Sequence, residues 1–149
     1  MSAAREALLV AVDDSEASDR AFDFAARYVD RLNAELHLVH VVQRQLSMLA
    51  VEYDKILSSA EQMLLRRFIS RLPAGDRPQP VVHIVKSEVD TESVGHILVK
   101  KAQQLDAIAL VISAHGGGKL KQVFLGSVTK YVTEHARTPV VLVPPPNQR

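Results

Sequence analysis

The sequence predicts an α/β fold: an open, doubly wound, five-stranded parallel sheet with helices on both faces. Three observations predict it. Five apolar runs of strand length recur along the chain, and four amphipathic stretches with three- and four-residue apolar spacing separate them. The resulting order, βαβαβαβαβ, favours right-handed crossovers between parallel strands. The length of 149 residues corresponds to one domain, so we expect residues 1–149 to form a single domain.

The first half of the chain is predicted to hold two strands and two helices. Residues 7–12 form an unbroken apolar run, typical of a strand buried on both faces, and two aspartates and a serine end it. Helical spacing follows over 22–32, and 36–42 is the second strand. A long helix is predicted over 53–72, and the turn after it is rich in proline and glycine.

The second half continues the alternation of strands and helices. Strands are predicted at 81–85, 107–112 and 139–143, because each is a short apolar run. An apolar stripe at helical spacing predicts a helix over 94–105. A short helix is expected to begin near Ser127.

Composition and charge exclude several classes of protein. There is no cysteine, so disulfides, thiolate nucleophiles and cysteine zinc sites are excluded. The 18 basic and 17 acidic side chains give a net charge of +1, without the basic excess typical of nucleic-acid binders. No apolar run reaches the roughly 20 residues that span a bilayer, and no signal-peptide core precedes residue 7. We expect a cytoplasmic protein without nucleic-acid or membrane partners; import into an organelle stays open.

The loop over 113–125 is the most unusual part of the chain. It follows the fourth predicted strand and contains three consecutive glycines at 116–118, which let a backbone approach a ligand closely. Ligands of doubly wound sheets bind beyond the carboxyl ends of the strands. Ser127 is a predicted N-cap of the next helix, whose free amides favour an anion, and Lys119 and Lys121 lie in the loop. The same pattern also fits a plain turn and cap, so phosphate binding is one of two open interpretations.

Standard nucleotide, metal and nucleophile motifs do not occur. The chain has no G-x-x-x-x-G-K-[ST] and no G-x-G-x-x-G after its first strand. His37 and His40 lie three apart on one strand and face opposite ways, so they form no metal pair. His83, His96 and His135 lack a partner at ligand spacing. No nucleophile motif such as G-x-S-x-G is present either, so no catalytic residue is predicted.

Several segments of the chain together match the pattern of a known family. They are VAVDDS at 10–15, LVHV at 38–41, VISAHG at 111–116, LGSV at 125–128 and PVV at 139–141. In this the chain resembles the universal stress protein family, whose ATP signature is G-x-x-G, nine residues, then G-[ST]. Gly116 and Gly126-Ser127 match that spacing. The resemblance covers nearly the whole chain and implies the strand order 3-2-1-4-5 of the adenine-nucleotide α-hydrolase-like fold.

Two positions depart from the pattern of that family. Ser113 stands where the signature has its first glycine, and its added atoms either hydrogen-bond a sugar or crowd the ligand. Ile108 stands where the family often has an aspartate at the start of the fourth strand, a difference that bears on packing. The serine therefore keeps open whether the chain binds a nucleotide.

The resemblance implies five residues on the base and ribose side of a nucleotide site. Asp13 would contact the ribose or base region, with Ala11 beside it. Val41 would supply backbone contacts and an apolar wall for adenine. Ile112 and Ser113 would line the same side.

The resemblance implies five further residues around the phosphates. His115 and Gly116 would begin the phosphate cradle. Gly126, Ser127 and Val128 would close it with backbone amides and the serine hydroxyl.

The function implied by the resemblance is adenine-nucleotide binding with a regulatory role in the stress response. The ligand would be ATP or AMP, with Mg²⁺ carried on the phosphates in parts of the family, and activity would be at most slow ATP hydrolysis or autophosphorylation. An alternative is an ATP-independent dimeric interaction protein of the same fold, which Ser113 keeps open. A hydrolase is a third interpretation, for which the sequence offers no catalytic pair.

The fifth predicted strand is expected at an edge of the sheet, with apolar side chains on both faces. Bare edges of this kind invite pairing, and members of the family commonly form dimers through this strand. We predict a homodimer in which the strands Val140–Val143 of two copies pair antiparallel about a two-fold axis. The alternative is an edge shielded by Pro139 and Pro144.

Overall fold

The structure is a computed structural model that describes residues 4–44, 49–88, 93–114 and 126–144. Within these ranges lie five strands, four α-helices and a short 3₁₀ turn at Ile69–Arg71. In chain order the strands and helices are β1 (Ala7–Ala11), α1 (Glu16–Tyr28), β2 (Glu35–Arg44), α2 (Ala50–Arg67), β3 (Val81–Glu88), α3 (Val94–Gln104), β4 (Ala109–Ser113), α4 (Ser127–His135) and β5 (Val140–Val143). No helix of the described ranges is long and apolar enough to cross a membrane.

The strands form a parallel sheet in the order β3-β2-β1-β4-β5, which confirms the predicted fold and strand order. Leu9 of β1 stands opposite His37 on one side and Leu110 on the other. The strand order reverses between β1 and β4. The crevice at the carboxyl ends of these two strands is therefore the place where ligands of doubly wound sheets bind.

Each face of the sheet carries its own core. Leu8 and Val10 of β1 pack with α1 and α2, whereas Leu9, between them in sequence, packs with α3 and α4. Both faces are covered, which explains why the central strands are continuously apolar. On the first face Phe22 and Phe68 are buried, and their ring centroids lie 5.1 Å apart.

Helix α1 begins six residues earlier than the predicted start at 22. Ser15 is its N-cap, and the Ser15 hydroxyl accepts a hydrogen bond from the amide of Ser18. Capping of this kind satisfies a free amide of the first turn, a signal that apolar spacing alone does not contain. The guanidinium of Arg67 at the end of α2 holds this region by ion pairs to Asp14 and Asp19 at 2.6 and 2.7 Å.

The fourth strand begins at Ala109, two residues later than predicted, because the end of α3 uses the residues before it. Asp106 adopts a left-handed backbone with φ 48°. The amide of Asp106 donates to the carbonyl of Gln103, and that of Ala107 donates to Ala102. This is the Schellman pattern that closes a helix. The strands β2 and β3 extend two and three residues beyond their predicted carboxyl ends at 42 and 85.

Candidate functional site

A cavity of about 470 Å³ opens at the carboxyl ends of β1, β2 and β4, bounded by the first turns of α3 and α4. Its position is the predicted crevice at the reversal of strand order. All eight of the predicted site residues that the structure describes line this cavity: Ala11, Asp13, Val41, Ile112, Ser113, Gly126, Ser127 and Val128. The other two, His115 and Gly116, lie outside the described residues, as do the remaining glycines of the triplet and Lys119 and Lys121.

One wall of the cavity is apolar. Val39 and Val41 of β2 and Ile112 of β4 belong to the core cluster on the α3 and α4 face, and Val94 and Leu98 of α3 complete the wall. Side chains of this kind suit a flat, weakly polar ring better than a charged group.

Asp13 lies at the end of β1 with one carboxylate oxygen engaged. Its Oδ1 accepts from the hydroxyl of Ser18 at 2.7 Å and from the hydroxyl of Ser15. Its backbone amide donates to Ser18 Oγ at 2.8 Å. Asp13 thus belongs to a group of hydrogen-bonded side chains at the start of α1, together with Ser15 and Ser18. The second oxygen, Oδ2, has no hydrogen bond from the described part of the chain, and the residue is exposed.

The prediction that Ser127 caps α4 is wrong, because Gly126 is the N-cap and Ser127 is the first helical residue. The backbone of Gly126 is extended, with φ −58° and ψ 160°, and its carbonyl accepts from the Lys130 amide at 2.9 Å. No side chain caps this terminus among the described residues. The free amides of the first turn therefore border the cavity with the positive end of the helix dipole.

Thr129 fixes the position of α4 against β4 and was not predicted as a site residue. Its buried hydroxyl lies 3.4 Å from the carbonyl oxygens of both Ser113 and Ala114. Ser113 itself is half-buried at the end of β4. No local sequence signal links residues 113 and 129, because their contact depends on how the helix returns to the sheet.

His40 is a second lining residue that sequence analysis did not predict for the site. The Nδ1 atom of its half-buried ring lies 2.8 Å from the carbonyl oxygen of Val12, just beyond the end of β1. Among the described lining residues, Asp13 and His40 are the two with ionisable side chains. His40 could have been found from the LVHV segment at 38–41, which matches the family pattern, but the resemblance assigned only Val41 of that segment to the site.

Two of the other histidines form a hydrogen-bonded pair, a contact that sequence spacing did not predict. Nε2 of His83 lies 2.9 Å from Nδ1 of buried His37, whose Nε2 contacts the Glu35 carboxylate at 2.9 Å. Burial, followed by the charge of Lys101, lowers the pKa of His83 below its ordinary value. No group of three or more potential ligand side chains is placed to hold a metal ion within the ranges that the structure describes.

A smaller cavity of about 250 Å³ lies at the amino-terminal ends of β2 and β3. The turn around Gly75 covers it, and Arg77 pairs with Asp30 at 2.8 Å beside it. None of the predicted site residues that the structure describes lines this second cavity.

The fold and the larger cavity define a doubly wound α/β protein with a ligand-sized site at its topological switch point. Residues 5–144 match the model of the universal stress protein family, so the chain belongs to that family and the resemblance is confirmed. A curated universal stress protein from Mycolicibacterium smegmatis is 29% identical over 152 residues. That match covers 95% of this chain and 49% of the relative, so the chain spans about half the relative's length.

Solved structures of universal stress proteins share the fold. UspA from Lactobacillus plantarum has a TM-score of 0.74 at 23% identity, covering 95% of this chain and 99% of that one. A universal stress protein in complex with cAMP has a TM-score of 0.71 at 24% identity, covering 95% and 98%. A third, from Archaeoglobus fulgidus in complex with dAMP, has a TM-score of 0.61 at 22% identity, covering 93% and 96%.

Proposed function

We propose that this protein binds an adenine nucleotide, ATP or AMP, in the larger cavity and acts as a regulatory protein of the stress response. The observation that carries the proposal is the convergence of predicted residues. The resemblance to the family assigns ten positions to a nucleotide site, and the eight that the structure describes, spread from Ala11 to Val128, all line one cavity of about 470 Å³. A single domain and a cytoplasmic location are parts of the same proposal.

The chemistry of the cavity supports a nucleotide in one orientation. The wall around Val41 and Ile112 suits the adenine ring, and the carboxylate of Asp13 suits a ribose hydroxyl. The uncapped first turn of α4 at Gly126 and Ser127 suits the phosphates, because free amides and the helix dipole favour anions there. Mg²⁺ would arrive with ATP, held by the phosphates.

The related structures support the same class of ligand. One neighbouring universal stress protein is in complex with cAMP and another with dAMP, and both ligands contain adenine and a phosphate. A regulatory output would follow if the bound nucleotide stabilises one arrangement of the cavity rim, which a protein partner then distinguishes.

A thermal shift measurement tests the proposal. A ligand at 100 times its Kd stabilises the folded state by about 2.7 kcal/mol, which for a chain of this size raises Tm by roughly 5–10 °C. We expect such a shift with AMP or ATP and none with a matched concentration of inosine 5′-monophosphate, which lacks the adenine amine. Equal melting temperatures with and without ATP and Mg²⁺ at millimolar concentration would contradict the proposal.

Ser113 separates nucleotide binding from the second candidate function, an ATP-independent dimeric interaction protein. If its Cβ crowds the ligand, Ser113→Gly should raise AMP affinity about tenfold, since relief of overpacking is worth about 1–3 kcal/mol. Ser113→Ala is the matched control, because it removes the hydroxyl and keeps the Cβ. Titration calorimetry measures the AMP affinity of the parent protein and of both variants. If only Ser113→Gly binds AMP, the parent protein has the ATP-independent function. If all three affinities are equal, Ser113 does not influence nucleotide binding.

A homodimer through β5 is the assembly that we associate with this function. The strand lies at the edge of the sheet, and Leu142 in it is 37% exposed. Antiparallel pairing of two such edges would cover this side chain and the free backbone groups beside it. We expect sedimentation velocity to give twice the mass of one chain and Leu142→Lys to shift the equilibrium towards one copy. A parent protein that sediments as one copy at all concentrations contradicts the dimer.

A further inference from the structure

His40 is held at the cavity in one tautomer. The Val12 carbonyl oxygen, 2.8 Å from Nδ1, can only accept a hydrogen bond, so Nδ1 carries the hydrogen. In the neutral ring Nε2 then has a free lone pair, directed away from Val12 by the geometry of the imidazole. No described residue donates to Nε2. The backbone thus presents an oriented hydrogen-bond acceptor at a ligand-sized cavity.

The strand pattern separates His40 from the apolar wall. Val39 and Val41, on either side of it in β2, pack on the α3 and α4 face. His40 points to the other face with Leu38, and it meets the chain where β1 ends, beside Asp13 and Ser18. Two residues that line this end of the cavity therefore each have an acceptor atom to which no described residue donates: His40 has Nε2 and Asp13 has Oδ2.

Acceptors of this kind select ligand groups that donate hydrogen bonds. The hydroxyls of a ribose are such donors. In a nucleotide they lie between the base, which suits the apolar wall, and the phosphate, which suits the first turn of α4. We propose that Nε2 of His40 accepts a hydrogen bond from a ribose hydroxyl and makes the site prefer ribonucleotides to deoxyribonucleotides. This inference rests on the proposed nucleotide-binding function and adds a specificity-determining residue to its site.

The experiment compares AMP with 2′-deoxy-AMP and 3′-deoxy-AMP by titration calorimetry. The parent protein should bind AMP about 3- to 10-fold more tightly than at least one deoxy form, the effect of one neutral hydrogen bond. His40→Asn should lower the ratio of the AMP affinity to the deoxy-AMP affinity, and any preference that remains would come from the Asp13 carboxylate. The asparagine side-chain amide can still donate to the Val12 carbonyl, so the variant removes the acceptor at Nε2 and keeps the anchor at Nδ1.

Two outcomes overturn the inference. A ribo-to-deoxy ratio that is the same in the parent and in His40→Asn shows that His40 does not contact the sugar. A parent protein that binds all three nucleotides equally well shows the same, even if the variant does not fold. Both leave the proposed function intact, whereas a parent that binds none of the three nucleotides overturns the proposed function itself.

Discussion

Replacing Gly126 by leucine should lower the affinity for AMP and ATP at least tenfold while the chain remains folded. The backbone of Gly126 is extended at φ −58° and ψ 160°, a conformation open to any residue. A Cβ atom added there meets no described atom within 4 Å, so the fold has room for a side chain. Because Gly126 lines the cavity at the start of α4, that side chain takes up space the phosphates would need.

Gly126→Ala is the matched control for this prediction. Both variants lose a favourable N-cap residue, which costs about 1 kcal/mol or less in unfolding free energy. The alanine variant adds one methyl group, so its affinity should stay within about threefold of the parent. Titration calorimetry and urea unfolding measure the two quantities separately. Parental affinity in a folded Gly126→Leu protein would show that the ligand does not approach α4.

Replacing Gly95 by leucine should destabilise the protein by about 3 kcal/mol, the upper range for overpacking. Helices α3 and α4 approach so closely that a Cβ at position 95 would lie 2.9 Å from both Cβ and Cδ1 of Tyr131. The Cβ of Tyr131 is fixed to its backbone, so α4 as a whole must move. Val94 of α3 and Val128 of α4 line the cavity. Nucleotide affinity should therefore fall together with stability.

The control for Gly95 lies on the same helix. Lys100 is exposed, and Lys100→Ala should change the unfolding free energy by less than about 0.5 kcal/mol. Gly95→Ala should lie between the two, because its gain in helix propensity of about 1 kcal/mol opposes the clash. Urea unfolding of the three variants measures the series. A Gly95→Leu protein as stable as the parent would mean that the two helices do not depend on this contact.

The fold could be predicted from the sequence because its strongest signals are local. Each strand is a short apolar run and each helix an apolar stripe, and both patterns follow from the faces that must be buried. The boundaries were less accurate where hydrogen bonds outside that pattern decide them. The Ser15 cap starts α1 early, and the left-handed Asp106 delays β4.

The candidate site could be predicted in part, because the resemblance assigns roles to residues by their place in the sequence pattern. The apolar wall and the residues at the start of α4 lie together as expected. Contacts between distant segments were not predictable in this way. The hydrogen bond from His40 to Val12 and the pair of His37 with His83 depend on strand register, which no local pattern encodes.

The most direct test of nucleotide binding is the nucleotide content of the freshly purified protein, followed by titration of the stripped protein with AMP and ATP. Chromatography of the supernatant after denaturation identifies any bound nucleotide. We expect a stoichiometric adenine nucleotide, or a dissociation constant well below about 1 mM once the protein is stripped. An empty protein that releases no heat with millimolar ATP and Mg²⁺ would contradict it and would favour the ATP-independent dimer.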